Sequence, residues 1–268
     1  MNRIGTPTWV HFGSTDMAAS KAFYEQLFGW QFEDAGEQMG HYNMITKDGA
    51  LVGGGMDVAG MTCSEGSPIP SSWDVYLAVE DVDARVRKAT ENGGQVIVEP
   101  GDAGPAGRFA IVLDPAKASV GLWKGGDTEG YEFSGNVGTP VWFELMTQDF
   151  DAASSFYTEV FDFDLVPMGD NADDCNAFRY ATNGPQTEAS SGICDAKGFI
   201  PAEKGSYWRI YFRVEDCDAA LKQVAELGGT VLDGPEDSPF GRLATVKDPA
   251  GAEFQIIDPT RTVQEGRA

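Results

Sequence analysis

An internal duplication constrains this chain more than any other feature. Residues 6–30 and 139–163 align without a gap and share eight identities: Thr6/Thr139, Pro7/Pro140, Trp9/Trp142, Asp16/Asp149, Ala19/Ala152, Phe23/Phe156, Tyr24/Tyr157 and Phe28/Phe161. Residues 79–100 match 214–235 at ten of 22 positions, closing on Pro100/Pro235, and residues 107–118 match 241–252 at eight of 12, GRFAIVLDPAKA against GRLATVKDPAGA. The order is kept and the offset stays between 133 and 135. The 268 residues therefore read as domain 1 over 1–124, a Gly-rich polar linker over 125–138, domain 2 over 139–258 and a tail over 259–268.

Each copy contains a smaller rhythm. TPTWVHFGS alternates like a strand, with Trp9, His11 and Gly13 on one face and Val10 and Phe12 on the other. Asp16 is placed to cap a helix on which Ala19, Phe23 and Leu27 share a face, and Gly29 is placed to end it. Strands are expected around 30–33, 41–46 and 50–56. The order then repeats: a strand at 73–79, a helix at 82–92 capped by Asp81 and stopped by Gly93-Gly94, and strands near 96–98, 108–113 and 120–123. The unit is βαβββ, four of them fill the chain, and the class is α+β.

One face of each sheet must cover its helix. The pleat assigns Val10, Phe12, Val75, Leu77, Val120 and Leu122 to that side. The other side takes Trp9, His11, Asp74, Tyr76, Ser119, Gly121 and Trp123 in copy one, and Trp142, Glu144, Arg209, Tyr211, Glu253, Gln255 and Ile257 in copy two. Aromatic walls of this kind suit stacking on a planar ligand or packing of a domain interface, and both readings stand. Trp30, Tyr42, Trp73, Phe178, Tyr180 and Trp208 are expected at the rims, with loops 57–72 and 195–206 long enough to close over the face. Gly53-Gly54-Gly55 has no following Lys-Ser/Thr, so it reads as a close backbone approach rather than a phosphate loop.

The motif D-x-x-A-x-x-x-F-Y-x-x-x-F (Asp16 to Phe28, Asp149 to Phe161), V-E-D-x-D-A before a helix ending in Gly-Gly, and the D-P-A hairpins at Asp114 and Asp248 resemble the vicinal oxygen chelate superfamily. This is the glyoxalase I, bleomycin-resistance and extradiol dioxygenase group. The resemblance covers roughly residues 5–124 and 138–258 and implies two tandem glyoxalase/bleomycin-resistance-type domains of two βαβββ modules each. It is nearest to two-domain actinobacterial proteins described as glyoxalase-like, bleomycin-resistance-like or hydroxylases. The superfamily hosts lyases, dioxygenases, epimerases, thiol transferases and metal-free drug-binding proteins, so the fold does not name the reaction.

Metal-dependent members take ligands from the first strand of each module and from a carboxylate in the last. The corresponding residues here are His11, Asp74 and Gly121 in copy one and Glu144, Arg209 and Gln255 in copy two. Glycine supplies no ligand and arginine repels a divalent cation. With only two histidines, His11 and His41, no His-rich site can be assembled, and the reading is of no metal and no cofactor. His11 with Asp74, helped by His41, is the one place left for a weakly held ion. Otherwise His11 reads as a hydrogen-bonded cavity residue, and Glu144 with Arg209 as an ion pair.

Nineteen Lys+Arg against 42 Asp+Glu give a formal charge of −23, a field that repels phosphate backbones and anionic lipid. Neither nucleic acid nor membrane is expected as a partner. No apolar run approaches the roughly 18 residues of a membrane span, and MNRIGTPT lacks the apolar stretch of a signal peptide, so a cytoplasmic location is expected. Cys63, Cys175, Cys194 and Cys217 show no CxxC spacing and read as reduced thiols. Four modules can pair internally, which favours a monomer, or at most a weak homodimer.

The function expected is metal-independent binding of a hydrophobic or aromatic small molecule, in the manner of bleomycin-resistance-type sequestration. Trp9, His11, Asp74, Tyr76 and Trp123, with Trp142, Glu144, Arg209, Tyr211 and Gln255, are the candidate ligand-binding residues. The alternative is a glyoxalase-like lyase or isomerase or a dioxygenase-type enzyme, metal-assisted or using His11 or Glu144 as catalytic base. Divergence at His11/Glu144, Asp74/Arg209 and Gly121/Gln255 predicts at most one catalytic copy.

Overall fold

A computed structural model describes residues 3–63, 66–132, 135–168 and 179–263. The first module runs β1 (Pro7–Ser14), α1 (Met17–Phe28), β2 (Gln31–Asp34), β3 (Asn43–Lys47) and β4 (Ala50–Asp57). The second runs β5 (Ser72–Ala78), α2 (Val82–Glu91), β6 (Gln95–Asp102), β7 (Gly107–Leu113) and β8 (Ser119–Gly125). Copy two repeats both. Its modules are β9 (Pro140–Thr147), α3 (Phe150–Phe161), β10 (Leu165–Pro167), β11 (Tyr180–Asn183) and β12 (Ser191–Asp195), then β13 (Tyr207–Arg213), α4 (Cys217–Glu226), β14 (Thr230–Ser238), β15 (Gly241–Lys247) and β16 (Glu253–Asp258). The α+β class and the four βαβββ modules are as expected.

Each copy forms one eight-stranded mixed sheet, in the orders β2-β3-β4-β1-β5-β8-β7-β6 and β10-β11-β12-β9-β13-β16-β15-β14. The first strand of each module runs parallel to its last, as in β1 with β4 and β13 with β16, and the remaining pairs within modules are antiparallel. That arrangement puts the crossover helix on one face. All four helices start at an aspartate. Asp16, Asp81, Asp149 and Asp216 accept from the amides of Ala19, Ala84, Ala152 and Ala219 at 3.0, 2.9, 3.1 and 3.0 Å. Such a cap stabilises a helix by about 1 kcal/mol. Helix α1 ends at Gly29 with φ 69°, whereas α3 ends at Asp162, forced into the same left-handed region at φ 56°.

The chain divides into two compact units that each combine both copies: Met1–Trp9, Asp74–Gly130 and Trp142–Arg209 in the first, and Val10–Trp73, Tyr131–Val141 and Ile210–Ala268 in the second. In the first unit α2 meets α3 through Arg85, whose buried guanidinium donates to the Val160 carbonyl at 2.7 Å and pairs with Asp162 and Glu80. In the second unit α1 meets α4, where Gln223 Nε2 donates to the Gln26 carbonyl at 2.8 Å. The residues assigned to the helix side, Val10, Phe12, Val75, Leu77, Val120 and Leu122, are fully buried.

Three of the expected rim residues belong instead to this core. Trp30 and Trp73 lie in the second unit among Tyr24, Phe28 and Phe212, with ring centroids 5.0 Å apart for Tyr24–Trp30 and 5.3 Å for Trp73–Phe212. Their indole N–H groups donate to the Gly138 carbonyl at 2.7 Å and the Tyr24 hydroxyl at 3.1 Å. In the first unit buried Trp208 donates to the Tyr157 hydroxyl at 2.9 Å. Trp73 shares the pleat side of Val75, and Trp208 that of Ile210, so burial of these large apolar surfaces follows once each indole finds an acceptor. Phe178 lies outside the described residues.

The aspartates of the D-P hairpins are buried as well. Asp114 Oδ1 accepts from the Ala118 amide at 2.9 Å, and Asp248 Oδ1 from Ala252 at 2.8 Å. Ser20 on α1 donates to Asp248 Oδ2 at 2.6 Å. The equivalent of Ser20 on α3 is Ala153, so Asp114 lacks the serine donor that Asp248 has. Burial pushes the Asp114 carboxyl up to about 6 and raises Asp248 too. Burial and the neighbouring carboxylates raise the Tyr157 and Tyr24 phenols in turn.

Candidate functional site

The candidate residues fall into three groups on the strands. The first is in copy one, within the first unit. Trp9 of β1 and Trp123 of β8 stack with centroids 6.2 Å apart and planes at 20°, and Trp123 Nε1 donates to the Thr128 carbonyl at 3.2 Å. Tyr76 of β5 sits beside Gly121 of β8 in register, and its ring occupies the space that a Cβ at 121 would need. Trp9, Tyr76 and Trp123 are only 6, 6 and 8% exposed. Trp9 and Trp123 close on each other, and the glycine at the ligand position serves the packing of Tyr76.

The second group is in copy two, also within the first unit. Trp142 and Glu144 are two apart on β9, and Tyr207 and Arg209 two apart on β13, so the members of each pair share a pleat side. Arg209 Nη1 lies 3.7 Å from Glu144 Oε2, and Arg209 Nη2 donates to the Tyr207 hydroxyl at 3.1 Å. Lys204 Nζ stands 4.8 Å from the centre of the Tyr207 ring. Trp142 Nε1 donates to the Tyr180 hydroxyl at 3.0 Å, and Tyr180 lies over Gly192, the register partner of Glu144; a Cβ on Gly192 would come within 2.6 Å of the Tyr180 hydroxyl. Cys194 packs with Met146, Ala196 and Ile200, against Tyr180 and Tyr207. Burial, and then the Glu144 charge, push the Cys194 thiol far up, against a smaller opposing effect of Arg209, so it is an inert apolar wall. Glu144 is buried, whereas Trp142, Tyr180, Tyr207 and Arg209 keep part of their surface exposed.

The third group lies in the second unit. His11 of β1 pairs with Gly54 of β4, Tyr42 fills the space over Gly54, and His11 Nδ1 is 3.2 Å from the Tyr42 hydroxyl with the rings stacked at 5.6 Å. In copy two Tyr211 and Gln255 are neighbours across β13 and β16, and Gln255 Oε1 accepts from the Thr245 hydroxyl at 3.0 Å. His41, considered as a helper of His11, is exposed and turned to Asp34, 2.9 Å away.

The structure thus joins Trp9 to Trp123, Tyr76 to Gly121, Glu144 to Arg209 and Tyr211 to Gln255. Residue-type reasoning missed Tyr207 and Lys204, and it gave Tyr42 and Tyr180 no partner. The signal for the two tyrosines was present. Gly53-Gly54-Gly55 was read as a close approach, and Tyr42/Gly54 recurs as Tyr180/Gly192 at one offset.

These positions do not fit a divalent cation. One carries a glycine roofed by a phenol ring, one an arginine beside the carboxylate of Glu144, and one a glutamine bonded to a threonine. Among the described residues no three His, Cys, Asp or Glu side chains are grouped to hold a metal ion. Nor is any described helix long and apolar enough to cross a membrane.

The sequence pattern of the Glyoxalase/Bleomycin resistance protein/Dioxygenase superfamily matches residues 7–120 and again 139–256. The chain belongs to this superfamily. It is 37% identical over 266 residues to "Putative glyoxylase CFP32" of Mycobacterium bovis, covering 96% of each chain. It is 33% identical over 274 residues to the anthracycline biosynthesis protein DnrV of Streptomyces peucetius, covering 95% of this chain and 93% of the relative. Among solved structures it is similar to the 2,3-dioxygenase LapB from Pseudomonas sp. KL28, with a TM-score of 0.66, 13% identity and coverage of 96 and 93%. It is also similar to the Mn(II)-bound glyoxalase from Novosphingobium aromaticivorans, with a TM-score of 0.59, 17% identity and coverage of 97 and 86%. At these identities the solved structures speak for the fold alone.

Proposed function

We propose that this superfamily member binds a hydrophobic, aromatic small molecule without a metal, on the copy-two face formed by Trp142, Glu144, Tyr180, Tyr207 and Arg209. One observation carries the reading. Copy two holds an ion pair flanked by partly exposed aromatic rings, Trp142 among them, while its copy-one counterpart Trp9 is buried against Trp123 and Tyr42, the counterpart of Tyr180, stacks on His11. Rings of this kind stack on flat ligands, and a few polar groups orient them. The relative named for anthracycline biosynthesis supports a fused-ring aromatic ligand. The protein acts in this reading as a cytoplasmic monomer or weak homodimer, without nucleic acid or membrane.

Titration with polycyclic aromatic compounds tests it through tryptophan fluorescence. Saturable quenching is expected, and Trp142→Ala should weaken it about tenfold. Quenching that never saturates, or that is untouched by Trp142→Ala, removes the proposal. The glyoxylase designation of the mycobacterial relative favours a second reading, a lyase or isomerase with Glu144 or His11 as base. Turnover of a methylglyoxal–glutathione hemithioacetal that is lost in Glu144→Gln or His11→Ala establishes that one instead.

A further inference from the structure

Behind the copy-two face, on the helix side of the same sheet, a buried hydrogen-bonded chain links the two copies. Trp208 of β13 donates through Nε1 to the Tyr157 hydroxyl of α3 at 2.9 Å, and that hydroxyl donates to the carboxyl of Asp114 in the β7–β8 hairpin. The hairpin turn closes the chain, with the Ala118 amide 2.9 Å from Asp114 Oδ1. All three side chains are buried. Trp208 stands between Tyr207 and Arg209 on β13, and those two emerge on the opposite side of the pleat. What holds the Trp208 indole therefore also sets where the Tyr207 and Arg209 side chains leave the strand.

We infer that Asp114 is a proton-sensing positioning residue for the copy-two face, its protonation state being passed through Tyr157 and Trp208 to β13. The inference rests on the reading of that face as a binding site. An ionised carboxylate only accepts, so the Tyr157 hydrogen points to it, and the phenol oxygen, polarised by that bond, accepts from Trp208. A protonated carboxyl brings a second hydrogen into the same contact. Only one of the two can lie between the oxygens, and Trp208 then meets a less polarised acceptor. Burial pushes Asp114 up to about 6, so the change falls close to neutrality. The charged groups on the packed elements are engaged elsewhere or exposed. Arg85 and Lys88 of α2 act on Asp162, Asp83 pairs with Arg108 and Asp151 of α3 with Arg179, and Arg209 lies with Glu144 on the other side of β13. Arg87, Glu91, Lys117, Lys124 and Glu159 are exposed.

The second unit contains the same chain with one added donor. Trp73 donates to the Tyr24 hydroxyl at 3.1 Å, Tyr24 bonds to Asp248, and Ser20 donates to Asp248 Oδ2 at 2.6 Å. A hydroxyl that donates to a carboxylate favours its charged form, so this chain keeps one arrangement over the range in which the Asp114 chain changes.

The test follows the indole N–H signals of Trp208 and Trp73 in proton–nitrogen correlation spectra of the full chain from about pH 4.5 to 8, assigned through Trp208→Phe and Trp73→Phe. The Trp208 signal is expected to move with a midpoint of about 6 and the Trp73 signal to stay in place. Asp114→Asn, whose amide oxygen still accepts from Tyr157, should hold the Trp208 signal fixed, and Ala153→Ser should move its midpoint down. Tyr157→Phe should remove the Trp208 response while Asp114 still titrates in urea melts, which separates a relay from a merely buried acid. In parallel, tryptophan quenching by 1-pyrenemethanol, which carries no titrating group, should show binding about threefold weaker at about pH 5 than at about pH 7.5, and equal binding in Asp114→Asn. A Trp208 signal that stays in place overturns the inference. So does a Trp73 signal that moves in step with it, or saturable pyrenemethanol binding of equal strength at both pH values in the wild type. Failure of pyrenemethanol and other polycyclic aromatics to bind at either pH removes the binding reading itself, a different result from binding that ignores pH. The wild-type spectra decide the matter even if a variant fails to fold.

Discussion

In copy one Trp9 stacks on Trp123 and both are buried, while in copy two the matching residues are Trp142, which stays partly exposed, and Ile257. The helix side differs as well, in its own way. Copy one supplies Arg85, which ties α2 to the end of α3 through the Val160 carbonyl and Asp162, and the aligned residue of copy two is Ala220. The left-handed end of α3 is occupied by an aspartate whose carboxylate Arg85 holds, and that hydrogen bond lowers its pKa. The end of α1 has a glycine, which adopts that conformation without strain. Duplicated modules that keep one backbone have thus divided the work. Copy one has put Trp9, Trp123 and Arg85 into packing, and copy two has left Trp142, Tyr180, Tyr207 and Arg209 partly exposed.

The largest expected effect tests that division directly. Trp9→Ala removes a buried, stacked indole and should cost about 3–4 kcal/mol, whereas Trp142→Ala should cost about 1–2 kcal/mol and lose ligand binding. Urea denaturation of both variants checks this. Equal losses of stability would show that the two faces are equally closed.

The second test uses pH. Folding raises the Asp114 carboxyl to about 6, so the folded state binds its proton more tightly than the unfolded chain. The sign follows from linkage. The contribution to stability is full below about pH 4 and is lost as pH rises through about 6, a change of about 3 kcal/mol. Asp114→Asn should remove this fall between pH 4 and 7. Ala153→Ser, which gives Asp114 the kind of donor that Ser20 gives Asp248, should move the fall to lower pH and add about 1 kcal/mol at pH 7. Parallel stability curves for wild type and both variants, from urea melts at pH 4, 5.5 and 7, would refute the asymmetry between Asp114 and Asp248.

The smallest of the three effects concerns Arg85. Its guanidinium is buried, but Glu80 and Asp162 are each about half exposed, and water weakens the pairing. Arg85→Ala should cost about 2 kcal/mol, mostly by stranding the Val160 carbonyl and relaxing Asp162. Asp162→Gly in the Arg85→Ala background, which imitates the Ala220 and Gly29 of the second unit, should recover about half of that. Thermal melts of the single and double variants check the recovery, and additive losses would break the comparison.

Much of the fold could be read from the chain because the signals were local. A cap lies three residues from the amide it satisfies, and strand parity is set within two residues, so the caps Asp16 and Asp81, the module order and the helix-side core all emerged correctly. The same parity already placed Trp73 with Val75, and weighing Trp73 as a rim residue gave too much to its size and too little to the pleat. Trp30 was different: its acceptor, the Gly138 carbonyl, is 108 residues away. The candidate site was legible as residue types and faces and in the Glu144–Arg209 pairing, but the tyrosines that cover Gly121, Gly54 and Gly192 were not.

Sequence alone settled the duplication, the βαβββ modules and the superfamily, and it named the residues at the ligand positions, His11, Asp74 and Gly121 and Glu144, Arg209 and Gln255. Only the tertiary structure decided that Tyr76 roofs Gly121, that Tyr180 covers Gly192 beside Glu144, and that Arg209 stands 3.7 Å from Glu144 while bonded to Tyr207. The physical reason is the separation along the chain. Caps and pleats are fixed by neighbours in sequence. Whether a ring is sealed or open, and whether a charge is paired, depends on strands 45 to 65 residues apart that register only when the whole sheet forms.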